Sequence, residues 1–280
     1  MKYGLNPAYL MKKIPFETVL EMVKKAGFTD LDYQPDYKRD DWEENAYKEI
    51  DAIAKAGLCI HQTHAPFNRY GSHTKENFKI YLERLFRETE MAGAKYMVVH
   101  GDEFEFDTME YTPKKALQYN YELFAPYVER AAKSGIKVAF ETVFEDFIDD
   151  ATQLAQPRFC SDFDDLCAMI GKFNSDNVCC CWDFGHAGLS FGDKHAENIE
   201  KMGKLIECTH VQDYGHNDDL HLPPFLGEND WSALMAALGK VGYDGNLTYE
   251  MVYGAIPEAL GDAFAEYLMA TAKVLKSLMK

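Results

Sequence analysis

The sequence is short of positive charge: 29 Lys and Arg stand against 46 Asp and Glu, for a formal net charge of −17 over 280 residues. A surface that neutralises phosphate backbones needs the opposite balance, so no nucleic-acid partner is expected. A small phosphorylated substrate is not excluded, because it asks for only one or two local cations. No apolar run reaches transmembrane length, since Lys and Glu interrupt every long pattern, and no membrane partner is expected. The opening MKYGLNPAYLMKKIPF has no apolar core or small-residue cleavage site of a secretory signal, which points to the cytoplasm. The 7 cysteines are odd in number and form no disulfide framework. Three of them, Cys179-Cys180-Cys181, cannot wrap one metal, because strand neighbours point to opposite faces, and read as small buried hydrophobes. Low-complexity stretches and linkers are absent too, so residues 1–280 are expected to form a single domain.

What is present is a recurring phrase. KKAGFTDLDY, AKAGLCIHQTH, EMAGAKYMVVH, AKSGIKVAFET and GKVGYDGNLTYE each place a Gly after an amphipathic helical pattern and a short apolar run after the Gly. Glycine relieves the left-handed strain at a helix C-terminus, and the apolar run reads as a buried parallel strand. Eight such runs begin near Lys2, Asp30, Leu58, Tyr96, Lys137, Asn177, Ile206 and Asn246. Helical patterns such as FETVLEMVKKA, NFKIYLERLFRETEMA, DFDDLCAMIGKF and WSALMAALGKV lie between them. Eight alternating units, with no glycine-rich phosphate loop after the first strand, predict an α/β fold of the closed (β/α)8 TIM-barrel type rather than a doubly wound sheet. A 47% hydrophobic content, including 18 Phe and 17 Tyr, is enough to fill its core.

A barrel of this kind carries its chemistry at the C-terminal ends of the strands. Those ends offer His64, His100, Glu141, Asp183 with His186 three residues on, His210 and Glu250, on six consecutive strands. Taken singly, a strand-end histidine is more often a hydrogen-bonded structural residue than a ligand. Three acids converging on one mouth are harder to dismiss, because Glu141, Asp183 and Glu250 would repel one another, and no Lys or Arg occupies these strand ends. A divalent cation resolves the conflict. Glu141, Asp183, His210 and Glu250 make an oxygen and nitrogen donor set suited to Mn²⁺, Mg²⁺, Co²⁺ or Zn²⁺.

The motifs FET at Glu141, WDFGHAG at Asp183 and His186, THVQD at His210, HLPPFLGENDW at His221 and GYDGNLTYE at Glu250 resemble the xylose isomerase-like TIM-barrel superfamily. That superfamily joins sugar phosphate isomerases and epimerases with apurinic endonucleases of family 2 type, and the resemblance spans essentially the whole chain. It implies one metal on Glu141, Asp183, His210 and Glu250, with the two glutamates also acting as the acid/base pair. The endonuclease branch uses a fuller set for three zinc ions, matched here by His64, His100, Glu141, Asp183, His186, His210, Asp219, His221 and Glu250. His64, His100, His186, Asp219 and His221 are therefore candidates for additional metals or for substrate binding. Two departures stand out. His210-Val-Gln-Asp213 replaces the frequent Lys-Asp arrangement after the strand-seven histidine, and YGHNDDLHLPP lacks the arginine common in ketohexose epimerases, which argues against a ketohexose substrate.

The resulting expectation is a metal-dependent isomerase or epimerase of a small sugar, keto-polyol or sugar phosphate, working through an enediolate with Glu141 and Glu250 as bases. A lyase or dehydratase using the same enolate, and an apurinic endonuclease, are the alternatives. A barrel that merely binds a ligand is a third, which the two intact glutamates oppose. Asp213 is expected to orient a ligand or a substrate hydroxyl, while His216, Asn217 and Asp218 read as solvated loop. Phe67, Tyr70, Phe104, Phe106 and Phe184 are expected to wall the pocket. Arg69 and Arg158 are candidates for an anion anchor but read first as surface arginines. Trp42 reads equally as a sugar platform or a helix start. The resemblance also allows a homo-oligomer.

Overall fold

The computed structural model describes residues 1–34, 36–67, 73–101, 111–144, 146–149, 154–156, 158–251 and 254–280. Eight parallel strands form the barrel, numbered here in chain order: β1 Tyr3–Asn6, β2 Asp30–Tyr33, β3 Cys59–His64, β4 Tyr96–Val99, β5 Lys137–Glu141, β6 Val178–Asp183, β7 Ile206–His210 and β8 Leu247–Glu250. They pair in sequence, with β8 returning to β1. Between β7 and β8 the ring closes at its C-terminal end through a bridge from Val211 to Tyr249. There Val211 N donates to Thr248 O at 2.7 Å. Lower down the same seam, the Thr209 hydroxyl donates to Asn246 O at 3.0 Å in place of a regular ladder.

Helices fill the spaces between strands and cover the outside. Phe16–Ala26, Lys75–Ala92, Phe163–Phe173 and Trp231–Lys240 follow the sequence patterns closely. The glycines of the recurring phrase, Gly27, Gly57, Gly93, Gly135 and Gly242, all sit at positive φ between 62° and 104°. Each ends its helix in the left-handed conformation and turns the chain inward to the next strand. The sequence patterns did not foresee two antiparallel hairpins inserted at the C-terminal mouth. One pairs Asp146–Asp149 with Leu154–Gln156, and the other pairs Asp213–Gly215 with Asp218–Leu222.

Alternation along the strands separates two cores. Leu31, Phe140, Cys180 and Trp182 face the helices in the large outer cluster. Tyr96, Val98, Ala139, Cys179, Cys181 and Cys208 form a small inner one. The cysteine run is thus split between faces, all three thiols buried and unpaired. Burial pushes each of these thiols well above its usual pKa, which keeps them neutral and inert. Among the described residues, no helix is long and apolar enough to cross a membrane.

Candidate metal centre and active site

Above the inner cysteines the same inward-facing positions change from apolar to ionisable. On β5 the step is Ala139 to Glu141, on β6 Cys181 to Asp183, and on β7 Cys208 to His210. Period-two alternation delivers all three acceptors to one plane, and Glu250 of β8 completes it. Donor atoms of Glu141, Asp183, His210 and Glu250, all buried, lie within 4.8 Å of one another.

Glu141 is the hub. Its Oε2 lies 3.1 Å from His64 Nε2 and 2.9 Å from His100 Nε2. Its Oε1 lies 2.9 Å from His210 Nδ1 and 3.4 Å from His186 Nδ1. Burial alone would raise this carboxyl's pKa, but the surrounding imidazoles, His210 and His100 foremost, hold it well below the usual range. The two imidazoles on Oε2 respond in opposite senses. Burial pulls both down, yet the hydrogen bond to Glu141 carries His64 up to about 9. For His100 burial wins, and it falls to about 4.

Asp183 has three roles at once. It ends β6, and its Oδ1 caps the helix Phe184–Phe191 by accepting from His186 N at 2.7 Å. The same oxygen accepts from Gln212 Nε2 at 2.8 Å. Oδ2 is fully buried and accepts no hydrogen bond among the described residues. Burial, together with the nearby Glu141 and Glu250 carboxylates, pushes the Asp183 pKa up to about 7. A bare, buried carboxylate oxygen among two other acids is what a cation would satisfy, and the donor set of hard oxygens with one imidazole fits a divalent ion.

The histidines are oriented from behind. His64 donates from Nδ1 to Ala65 O, His186 from Nδ1 to Thr142 O, and His221 from Nδ1 to Glu250 O, each at 2.9 Å. An Nδ1–H fixed on a backbone carbonyl turns Nε2 toward the cavity, the usual bracing of a ligating imidazole. His210 is turned the other way. Its Nδ1 faces the carboxylates, while Nε2 lies 3.2 Å from Asp32 Oδ2, which Asn6 Nδ2 also contacts at 3.3 Å. Although burial opposes it, the carboxylates of Glu250 and Glu141 hold the His210 imidazole above its ordinary pKa.

The Asp213–Leu222 hairpin adds a second group. His216 and Asn217 turn it at φ 56° and 58° and are exposed along with Asp218, as the solvated-loop reading required. Alternation then buries Asp219 and His221. His186, Asp219 and His221 offer donor atoms within 4.8 Å of one another. Asp219 Oδ2 lies 3.2 Å from His221 Nε2 and 3.5 Å from His186 Nε2. All five candidates for additional metal or substrate contacts, His64, His100, His186, Asp219 and His221, line one cavity of about 180 Å³ with Glu250.

Two expectations change, and a third gains detail. The Asp213 carboxylate accepts from Tyr214 N, Gly227 N, Asn229 N and Trp231 Nε1 at 2.8–3.2 Å. It ties the end of β7 to the loop that carries Trp231. Arg158 is not a surface residue: it is 6% exposed and lines the cavity, with Nη1 donating to Phe144 O at 3.2 Å. Phe184 is no pocket wall but a buried core residue against Trp231, ring centroids 5.2 Å apart. Phe67 does line the cavity, stacked on His100 at 4.7 Å. Trp42 starts the helix Trp42–Lys55, its ring beneath Arg84 and Arg87. Arg69, Tyr70, Phe104 and Phe106 lie outside the described residues.

Asp32, Thr142 and Gln212 were missed. Asp32 carried a faint signal, an acid at alternate positions of the buried run DLDY. Thr142 follows Glu141 in FET, and its hydroxyl accepts from Asp183 N at 2.9 Å, pinning β5 to β6. Gln212 was noticed only as a departure from a motif.

Residues 20–273 match the xylose isomerase-like TIM barrel family. The chain belongs to this family. Among solved structures, this xylose isomerase-like barrel is similar to a D-tagatose 3-epimerase-like protein, with a TM-score of 0.77 and 18% identity over 99% of this chain and 98% of that one. It is also similar to an AP endonuclease, family 2, from Brucella melitensis, with a TM-score of 0.71 and 19% identity over 95% and 99%. In sequence it is 26% identical over 262 residues to the uncharacterised protein y4fM of Sinorhizobium fredii (strain NBRC 101917 / NGR234), covering 82% of this chain and 79% of that protein.

Proposed function

We propose that this xylose isomerase-like barrel is a divalent-metal-dependent isomerase or epimerase of a small sugar, keto-polyol or sugar phosphate. The observation that carries the reading is the bare Asp183 Oδ2, buried between Glu141 and Glu250 and beside His210 Nδ1 at 3.9 Å. Glu141, Asp183, His210 and Glu250 would hold the ion. When bound, it would polarise a substrate carbonyl and stabilise negative charge as the adjacent C–H is deprotonated.

The proton is moved by the chain itself. Glu250 borders the cavity directly, while Glu141 stands behind the histidines that line it. Glu141 takes the proton from one face of the bound substrate and Glu250 returns one on the other, exchanging roles in reverse, which requires His64 and His100 to part and admit the substrate to Glu141. His64, His100 and His210 hold the Glu141 carboxylate from three directions until then. Phe67 and Phe144 supply apolar wall to a cavity sized for a small metabolite.

The test is metal analysis of the purified protein followed by incubation with small ketoses and their phosphates in D₂O. Solvent deuterium should enter at the carbon next to the carbonyl, and both Glu141→Gln and Glu250→Gln should lose the conversion. Full activity in both variants refutes the two-glutamate mechanism. Loss of water from the product would assign the lyase or dehydratase alternative, which shares the first proton abstraction.

The group His186, Asp219 and His221 favours a second reading, an apurinic endonuclease with further ions. The net charge of −17 opposes it. Incision of an abasic-site duplex at physiological salt should be absent; robust metal-dependent incision would reverse the ranking.

A further inference from the structure

Arg158 enters the cavity from a segment held in a costly backbone conformation. It lines the cavity beside Phe144 and His100. Its own carbonyl is fixed twice, accepting from Ser161 N at 3.0 Å and from the Ser161 hydroxyl at 2.7 Å. Within that turn Cys160 stands at φ 76°, in the left-handed region that favours glycine. Phe159, fully buried, closes the segment against the chain just beyond β4, where a Cβ on Gly101 would stand 2.7 Å from Phe159 O. A glycine and a strained cysteine thus hold one short run in place. Such strain persists only where the surrounding structure enforces it, and it clusters at functional sites.

The guanidinium lies over the Phe144 ring at 5.5 Å, and Nη1 donates to Phe144 O at 3.2 Å. The same ring stands 5.1 Å from the His186 imidazole, centroid to centroid. Arg158 is therefore one ring away from the group His186, Asp219 and His221. Burial, and after it the charges of His64 and Arg158, hold the His100 imidazole down at about 4, so the arginine's charge reaches into the cavity. Among the described residues, no Lys and no other Arg lines this cavity, whereas Asp219 and Glu250 do. In a chain of net charge −17, an anionic substrate needs a local cation here, and Arg158 is where one is built. An arginine stays charged at any working pH, and its planar fork matches the edge of a carboxylate. One guanidinium balances a carboxylate's single charge, while a phosphate dianion calls for a second cation.

We propose that Arg158 binds a carboxylate of the substrate, which makes that substrate a keto sugar acid. The sugar part of this inference rests on the isomerase reading of the same cavity, and the charge rests on Arg158. Calorimetric titration of the purified protein with D-gluconate, sorbitol and sorbitol 6-phosphate tests the charge without any turnover. Gluconate should bind about tenfold or more tighter than sorbitol. Arg158→Gln should lose about 30-fold or more in gluconate affinity, as on removing one partner of a buried charge pair, and should erase the preference over sorbitol. Arg158→Lys, which keeps the charge without the fork, should fall between the two. Gluconate that binds no better than sorbitol overturns the proposal. So does a preference that survives Arg158→Gln, because an arginine that merely braces Phe144 O would weaken both sugars alike. Tighter binding of the phosphate than of gluconate overturns the carboxylate. Deuterium exchange from D₂O, run over keto sugar acids and neutral ketoses, separates the two possible failures. Exchange that ignores the substrate's charge removes the anchor and leaves the isomerase. No exchange into any of them, with the gluconate preference intact, removes the isomerase and leaves the anchor.

Discussion

Gln212 donates from Nε2 to Asp183 Oδ1 at 2.8 Å, and the same nitrogen reaches Asp219 Oδ1 at 3.2 Å. One buried amide thereby couples the acid at the end of β6 to the acid on the hairpin, while the other Asp183 oxygen accepts no hydrogen bond among the described residues. The first glycine of WDFGHAG, Gly185, is explained by the same contact. A Cβ on Gly185 would stand 2.0 Å from Gln212 Oε1, where no side chain fits.

Gly185→Ala should therefore act on the metal centre at a distance, by displacing Gln212. Removing an outer partner of a ligand typically costs 10–100-fold in metal affinity, roughly the loss expected for both Gly185→Ala and Gln212→Leu. Isothermal titration with Mn²⁺ or Zn²⁺ reads it directly. Wild-type affinity in both variants would show that the Gln212 contact is incidental.

If Asp183 is a metal ligand as proposed, Asp183→Asn removes its charge while keeping the shape, and should weaken metal binding beyond the roughly 10–100-fold range of an outer contact. Because Asn cannot ionise, raising the pH should not restore the affinity. The helix cap survives, since an Asn oxygen still accepts from His186 N, so the melting temperature of the metal-free protein should fall little. Equal metal affinity in wild type and variant would remove Asp183 from the ligand set.

Much of this site was legible because a barrel strand has a fixed polarity and a period of two. Once Lys137–Glu141 and Val178–Asp183 are recognised as strands, their last inward residues must be Glu141 and Asp183, and their last positions must lie at the mouth. The glycines were equally legible, because a helix that turns back to a strand needs a left-handed residue. What escaped depends on packing across distant segments. Gln212 matters through a contact with Asp183, 29 residues away in the chain, and no local pattern marks it. Arg158 looked superficial because arginines usually are, yet its guanidinium lies over the Phe144 ring at 5.5 Å, inside the cavity wall. Asp213 shows a different dependence on packing: it stands three residues after the proposed ligand His210, and the neighbouring loop offers it an indole N–H and backbone N–H groups that no local pattern announced.

Asp213→Ala should accordingly destabilise the fold rather than the chemistry. It leaves Trp231 Nε1 and the amides of Gly227 and Asn229 without their acceptor, in a region where Asp213 is fully buried. Each orphaned buried donor costs about 1–3 kcal/mol, so a loss of about 3 kcal/mol is expected after local relaxation. Denaturant titration would measure it. An unaltered midpoint together with lost metal binding would return Asp213 to the metal centre.

Glu88 offers a prediction remote from the metal. It lies on the inner side of the helix Lys75–Ala92, 1% exposed, with Oε2 unpartnered among the described residues. Burial, and after it the charge of Glu49, pushes its carboxyl up to about 8 from an ordinary value of 4.5. The folded state therefore holds this proton through a range where the unfolded chain has released it. Below about pH 4.5 the group contributes no penalty. As pH rises through the window between 4.5 and 8 the folded protein is progressively destabilised relative to the unfolded chain, and above 8 the effect levels off. Glu88→Gln is neutral in both states and removes the slope. It should raise stability by on the order of 2 kcal/mol at pH 8, about half of what the full shift implies, and change it little near pH 4.5. Melting temperatures of the two proteins across that range, in metal-free buffer, should converge at the acid end and separate steadily toward the alkaline end. Parallel curves would mean that the carboxyl titrates normally, with water reaching Oε2 in the folded state.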